Sequence, residues 1–153
     1  MIPQAYITEW ANHVPWQTNE QVEQDLVICR ALVEIFSDDF LAKSLAFRGG
    51  TALHKLYLQP QPRYSEDIDL ALDRNFLGFD KQVGEMTGSQ VAKLRKLSVK
   101  SITEKYFPEL QAAFILAGFL EVVLALKEIK NPDDDPITIE IYYPSVTETI
   151  GYI

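Results

Sequence analysis

Between Leu45 and Leu72 the chain carries two short apolar runs, one closed by a glycine pair and the other interrupted by alternating acids. They read Leu45-Ala46-Phe47-Arg48-Gly49-Gly50-Thr51-Ala52-Leu53-His54-Lys55 and Tyr64-Ser65-Glu66-Asp67-Ile68-Asp69-Leu70. In a β-strand successive side chains point to opposite faces, so Asp67 and Asp69 fall on one face and Ile68 and Leu70 on the other. Two carboxylates held so close repel each other unless a cation lies between them, and a divalent ion that prefers oxygen ligands meets that need. Magnesium usually takes one or two protein carboxylates and leaves its other positions to water and substrate phosphates. Asp67 and Asp69 are therefore the candidate metal ligands, and phosphate chemistry is the first functional expectation.

The glycines supply the second half. Leu45 to Phe47 reads as a short buried strand, Gly49-Gly50 as a tight turn, and Thr51 as the N-cap or first residue of a helix running to about Leu58. A turn without Cβ atoms lets a phosphate approach the backbone, and the helix start beside it offers unpaired N–H groups. Gly49, Gly50 and Thr51 are the candidate phosphate cradle, with Arg48 before the turn and Lys55 one turn into the helix as sources of positive charge. Glu66 alternates to the other side of the strand and reads as a solvated charge.

The stretch Phe47-Arg48-Gly49-Gly50-Thr51-Ala52-Leu53-His54-Lys55 followed by Tyr64-Ser65-Glu66-Asp67-Ile68-Asp69-Leu70 resembles the AbiEii-type nucleotidyltransferases. They are a branch of the polymerase-β-like superfamily that includes toxins of bacterial toxin–antitoxin and abortive-infection systems. Either motif alone is common by chance, whereas both in this order with Ser-Glu before the acids are not. More weakly, the likeness runs from Trp16 to about Ile153. It implies an α+β fold with a polymerase-β-like core, a mixed sheet flanked by helices. It also implies magnesium-dependent transfer of a nucleotidyl group from a nucleoside triphosphate (NTP). RNA, especially the end of a tRNA, is the implied acceptor, and a cognate antitoxin the implied partner. Ser65 matches the family's serine before the acids and is expected to hold the loop or a carboxylate by hydrogen bonding. The alternative is a nucleotide-binding or small-molecule-modifying module without tRNA transfer activity.

The remainder frames this reading. A chain of 153 residues supports one domain with a sizeable core, and 47% hydrophobic with 24% charged is ordinary for a globular protein. A net charge of −8 argues against a broad basic surface for non-specific nucleic-acid binding. Cys29 is alone, in an apolar helical pattern, and reads as a core thiol in a reducing cytoplasm. No leader pattern or membrane-length apolar run is visible, so no membrane association is expected. Residues 1–44 read as N-terminal helices. Trp10 and Trp16 anchor a lead segment, a helix runs from Asn19 to about Ser37 behind a Thr18/Gln21 capping box, and a short one starts at Ser37-Asp38-Asp39. The helix's apolar stripe is expected at Val22, Leu26, Cys29, Val33 and Phe36. Residues 45–72 hold the glycine turn and metal strand. After a connecting loop, residues 89–146 read as a basic helix to Tyr106, a second helix opened by Pro108 and stopped at Gly118, and an antiparallel hairpin of 119–130 with 137–143. Asp133, Asp134 and Asp135 read as a solvated turn, and His13 and His54 as structural.

A third carboxylate would complete a two-metal site. Glu140, in Ile139-Glu140-Ile141, has the apolar-acid-apolar form for it. Residues 135–153 also resemble a family segment that precedes the acid-bearing strand, which places the third acid beyond Ile153. On that reading the chain is truncated, its C-terminal helical part is absent, and it binds metal and triphosphate while turning over weakly.

Overall fold

The computed structural model describes residues 2–58, 60–131, 137–147 and 151–153, with the backbone alone for Gly151 and Tyr152. Helix α1 (Gln4–Trp10) leads into α2 (Asn19–Ser37), which starts where the Thr18 hydroxyl accepts from the Gln21 amide. The buried face of α2 is Val22, Val27, Ile28, Ala31 and Ile35, together with Glu23 and Asp25. That differs from the expected stripe, and Val33 is 59% exposed. This helix has apolar residues on more than one face, and the elements packed against it decide which is covered. Helix α3 (Asp39–Ser44) is capped by the Asp38 carboxylate, which accepts from the amides of Phe40 at 3.0 Å and Leu41 at 2.8 Å.

Strand β1 (Leu45–Arg48) passes directly into α4 (Gly49–Leu56), and a loop returns the chain to β2 (Asp69–Leu72). β1 and β2 are antiparallel, with Phe47 opposite Leu70 and Arg48 opposite Asp69. β1 is half-buried rather than buried, because Ala46 and Arg48 face solvent. Short 3₁₀ turns at Arg74–Leu77 and Val83–Glu85 carry the chain to α5 (Gly88–Ser101), where Thr87 and Gln90 form a reciprocal capping box.

The two helices expected on either side of Pro108 are one interrupted helix. After α5 a π-turn over Ile102–Tyr106 leads without a break into α6 (Phe107–Leu116), and the Phe107 amide donates five residues back to Ile102. Pro108 has no N–H to give, so the local widening occurs where a regular ladder would lose a bond. Gly118, at φ 85°, ends the run as expected.

Strands β3 (Val123–Leu126), β4 (Ile139–Tyr143) and β5 (Gly151–Tyr152) form a second antiparallel sheet in the order β3-β4-β5. The predicted hairpin is present; Asp133, Asp134 and Asp135 lie outside the described residues. The fold is α+β. Among the described residues the sheets are two small antiparallel ones, not the mixed sheet expected, because each strand pairs with its neighbour in sequence after the chain has reversed direction.

Leu70 and Leu72 of the first sheet and Ile139 and Ile141 of the second wall an apolar cavity of about 180 Å³, together with Leu41 and Tyr106. This arrangement sets the direction of the acids. With Ile68 and Leu70 packed on the core, the alternating Asp67 and Asp69 face solvent. Among the described residues no helix is long and apolar enough to cross a membrane.

Candidate functional site

The site lies at the junction of β1, α4 and the segment entering β2. Gly49 has φ 76°, in the left-handed region that L side chains avoid, and is already the first residue of α4. The helix thus begins two residues earlier than the sequence suggests, and ends at Leu56. A Cβ at Gly49 would collide with the Asp69 side chain, approaching its Cγ to 2.8 Å. The glycine is required twice, by its backbone angle and by the carboxylate resting against it.

Gly50 is covered from another direction. A Cβ there would lie 2.9 Å from a guanidinium nitrogen of Arg63. Arg63 belongs to the loop between α4 and Tyr64, which carries Pro60 and Pro62 and lies outside both quoted motifs. The available signal was its place as the cation nearest before the two acids, four residues ahead of Asp67.

Thr51 is 1% exposed, and its hydroxyl donates to the Asp67 carbonyl at 2.6 Å. Its single proton is thereby used, so in its short contact with Ser65 the serine donates. The chain Ser65 to Thr51 to the Asp67 carbonyl fastens the loop before β2 to the first turn of α4. Both hydroxyls are engaged inside the protein, which gives them a positioning role between this loop and α4. Ser65 holds the loop, one of its two expected functions.

Tyr64, next to Ser65, reaches the Gln24 side chain of α2 and meets Trp16 edge-on, with ring centroids 5.2 Å apart. The Trp10 indole N–H donates to Asp25 at 2.8 Å. Both tryptophans serve as the anchors expected of them.

Lys55 has a different place from the one its sequence position suggests. Its ammonium lies 2.6 Å from Asp25 and 3.4 Å from the Cys29 sulfur, with side-chain exposures of 9% for the lysine and 2% for the aspartate. A cation so closely paired and buried has its charge answered by Asp25 within the protein. Burial pushes the half-buried Cys29 thiol above its ordinary pKa, against the nearby Lys55 charge, which disfavours the thiolate form.

Asp67, Asp69, Arg48 and Arg63 are all exposed, and none forms an ion pair among the described residues. Asp67 precedes the strand and Asp69 opens it, so the shared face rests on alternating burial over 67–70 rather than on one regular strand.

Glu140 is not brought to them. It lies on the second sheet, accepts from the Tyr142 hydroxyl at 2.7 Å and pairs with Lys127 at 3.5 Å. The Tyr142 hydrogen bond holds its carboxyl below the usual range, against desolvation and with help from Lys127. Among the described residues no three His, Cys, Asp or Glu side chains gather into a metal-binding group, so Glu140 does not complete a three-acid cluster with Asp67 and Asp69.

Comparison with known proteins decides the family. The model described as nucleotidyl transferase AbiEii toxin, type IV TA system, matches residues 30–150, a span holding the glycine turn, Arg63 and both acids. The chain belongs to the AbiEii nucleotidyl transferase toxin family. No curated protein and no solved structure matches it.

Proposed function

We propose that this chain is a magnesium-dependent nucleotidyltransferase that moves a nucleotidyl group from an NTP to an acceptor hydroxyl, with RNA, in particular tRNA, as the acceptor. It would act in the cytoplasm as the toxin of a toxin–antitoxin pair whose antitoxin is its protein partner. The observation that carries the reading is the Asp69 carboxylate lying against Gly49 at the start of α4, beside Asp67, in an AbiEii family chain. The glycine-turn, helix and acid-pair order supports a polymerase-β-like arrangement for this part of the fold.

The donor set fits magnesium: two exposed carboxylates that form no ion pair among the described residues, and open access for water and phosphate. Asp67 and Asp69 would hold the ion, which supplies Lewis-acid stabilisation of charge at the transferring phosphate. In the reaction the acceptor oxygen bonds to the α-phosphorus, the bond from that phosphorus to the bridging oxygen breaks, pyrophosphate leaves, and the acceptor proton passes to solvent.

The residues of the chain divide this work. The backbone N–H groups at Gly49 and Gly50 have no intrahelical acceptor and can donate to phosphate oxygens, with the helix dipole favouring negative charge there. Thr51 and Ser65 hold Asp67 in place through the Asp67 carbonyl. Arg48, opposite Asp69, adds positive charge at the rim.

The test is transfer of label from α-phosphate-labelled NTPs to bulk tRNA with magnesium, for the wild type, Asp67→Ala and Asp69→Ala. Labelling that disappears in both variants supports transfer. Labelling that survives in either variant would sink the assignment of the acids. No labelling, with NTP binding intact, would remove tRNA as acceptor and favour the binding or small-molecule-modifying alternative.

A further inference from the structure

We infer that Arg63 is a phosphate-binding residue of this site and grips the pyrophosphate portion of the NTP, the portion that departs. The inference rests on the nucleotidyltransferase reading and adds a residue to it. Gly50 is where the guanidinium rests: a methyl group there would lie 2.9 Å from one of its nitrogens. One residue earlier, Gly49 is in the same relation to the Asp69 carboxylate. Adjacent Cα atoms are about 3.8 Å apart, so the acid and the guanidinium border neighbouring points of one helix start.

This division of charge suits a polyphosphate. The phosphate nearest the acid pair is the one whose charge a bound divalent ion can answer. The phosphates beyond it need another cation, and a guanidinium offers planar, paired N–H donors that match phosphate oxygens. Arg63 is also free for the task. It is exposed and forms no ion pair with Asp67, Asp69 or any other described acid, unlike Lys55, which Asp25 holds. The loop carrying it is fixed nearby, because Tyr64 reaches Gln24 and Ser65 bonds Thr51. The guanidinium thus hangs from an anchored backbone, which lowers the ordering entropy needed for binding.

The probes are magnesium tripolyphosphate and inorganic pyrophosphate, which carry the phosphates without a base. Calorimetric titration would compare the wild type, Arg63→Gln, Arg63→Lys and, as a control for general charge, Lys93→Gln on the exposed face of α5, with thermal melts verifying that each is folded. Arg63→Gln should weaken both probes by about tenfold or more, the loss of one charge-assisted contact. Arg63→Lys should fall between, keeping charge but not paired donors, and Lys93→Gln should stay within about twofold of wild type, as a solvent-screened surface charge does. Wild-type affinity in Arg63→Gln, or equal losses in Arg63→Gln and Lys93→Gln, would overturn the inference. If that occurs while the wild type still labels its acceptor, the transferase reading stands and only the role of Arg63 falls. A wild type that neither binds the probes nor labels an acceptor removes both.

Discussion

Lys55→Met separates a structural lysine from a phosphate-binding one. The substitution keeps a flexible chain of similar length but removes the ammonium that lies 2.6 Å from Asp25. Asp25 is 1% exposed, and of its hydrogen bonds among the described residues the Trp10 N–H and the weak Cys29 thiol contact would remain. Breaking a buried pair by deleting one member typically destabilises by about 3–5 kcal/mol, because the other charge stays buried without its counterion. Against a total stability of about 5–15 kcal/mol, that is a large fraction. With a urea slope of about 2 kcal/mol per M for a domain of this size, the unfolding midpoint should fall by about 2 M. The double variant Asp25→Asn with Lys55→Met removes both charges, so it should recover much of the loss and give a coupling of at least about 1 kcal/mol. Urea unfolding followed by circular dichroism measures all four members of the cycle. A single variant within about 1 kcal/mol of wild type that binds NTP more weakly would refute the argument and return Lys55 to the phosphates.

The other expectations concern the clamp and the second sheet. Thr51→Val leaves the Asp67 carbonyl without its buried donor, so stability should fall by about 1–3 kcal/mol and magnesium-dependent NTP binding should weaken, whereas Thr51→Ser keeps both. Melting curves with equilibrium dialysis decide it, and an unaffected Thr51→Val protein would show that the clamp does not position Asp67. Tyr142→Phe removes the main cause of the lowered Glu140 pKa, so its carboxyl should titrate closer to the ordinary range in carbon-detected NMR. Because the folded pKa is depressed, this carboxylate adds stability above its unfolded pKa and loses it as pH falls through the folded value. That acid-side dependence should shrink in Tyr142→Phe; an unmoved titration would assign the shift to Lys127 instead.

What the sequence determined by itself is local. Thr18 and Asp38 mark helix starts because a side-chain oxygen can satisfy orphan amides within three residues, and Gly118 marks a stop because it tolerates positive φ. Alternation over 67–70 sets Asp67 and Asp69 on the solvent face once Ile68 and Leu70 must be buried. The glycine-turn and acid-pair order was enough to point to the AbiEii family, which the match over residues 30–150 then showed.

What only the tertiary structure decided is which distant groups meet. Lys55 reads as a cation beside the turn until α2 presents Asp25 to it across 30 positions, and only the folded loop brings the Thr51 and Ser65 hydroxyls onto each other and onto the Asp67 carbonyl. Arg63 is a loop residue in the sequence and a neighbour of Gly50 in space. Glu140 has the right local form for a third acid, yet its sheet gives it to Lys127 and Tyr142. Periodicity reports the direction a side chain takes from its own backbone, whereas a charge is used up or left available by whatever another segment places within a few ångströms of it.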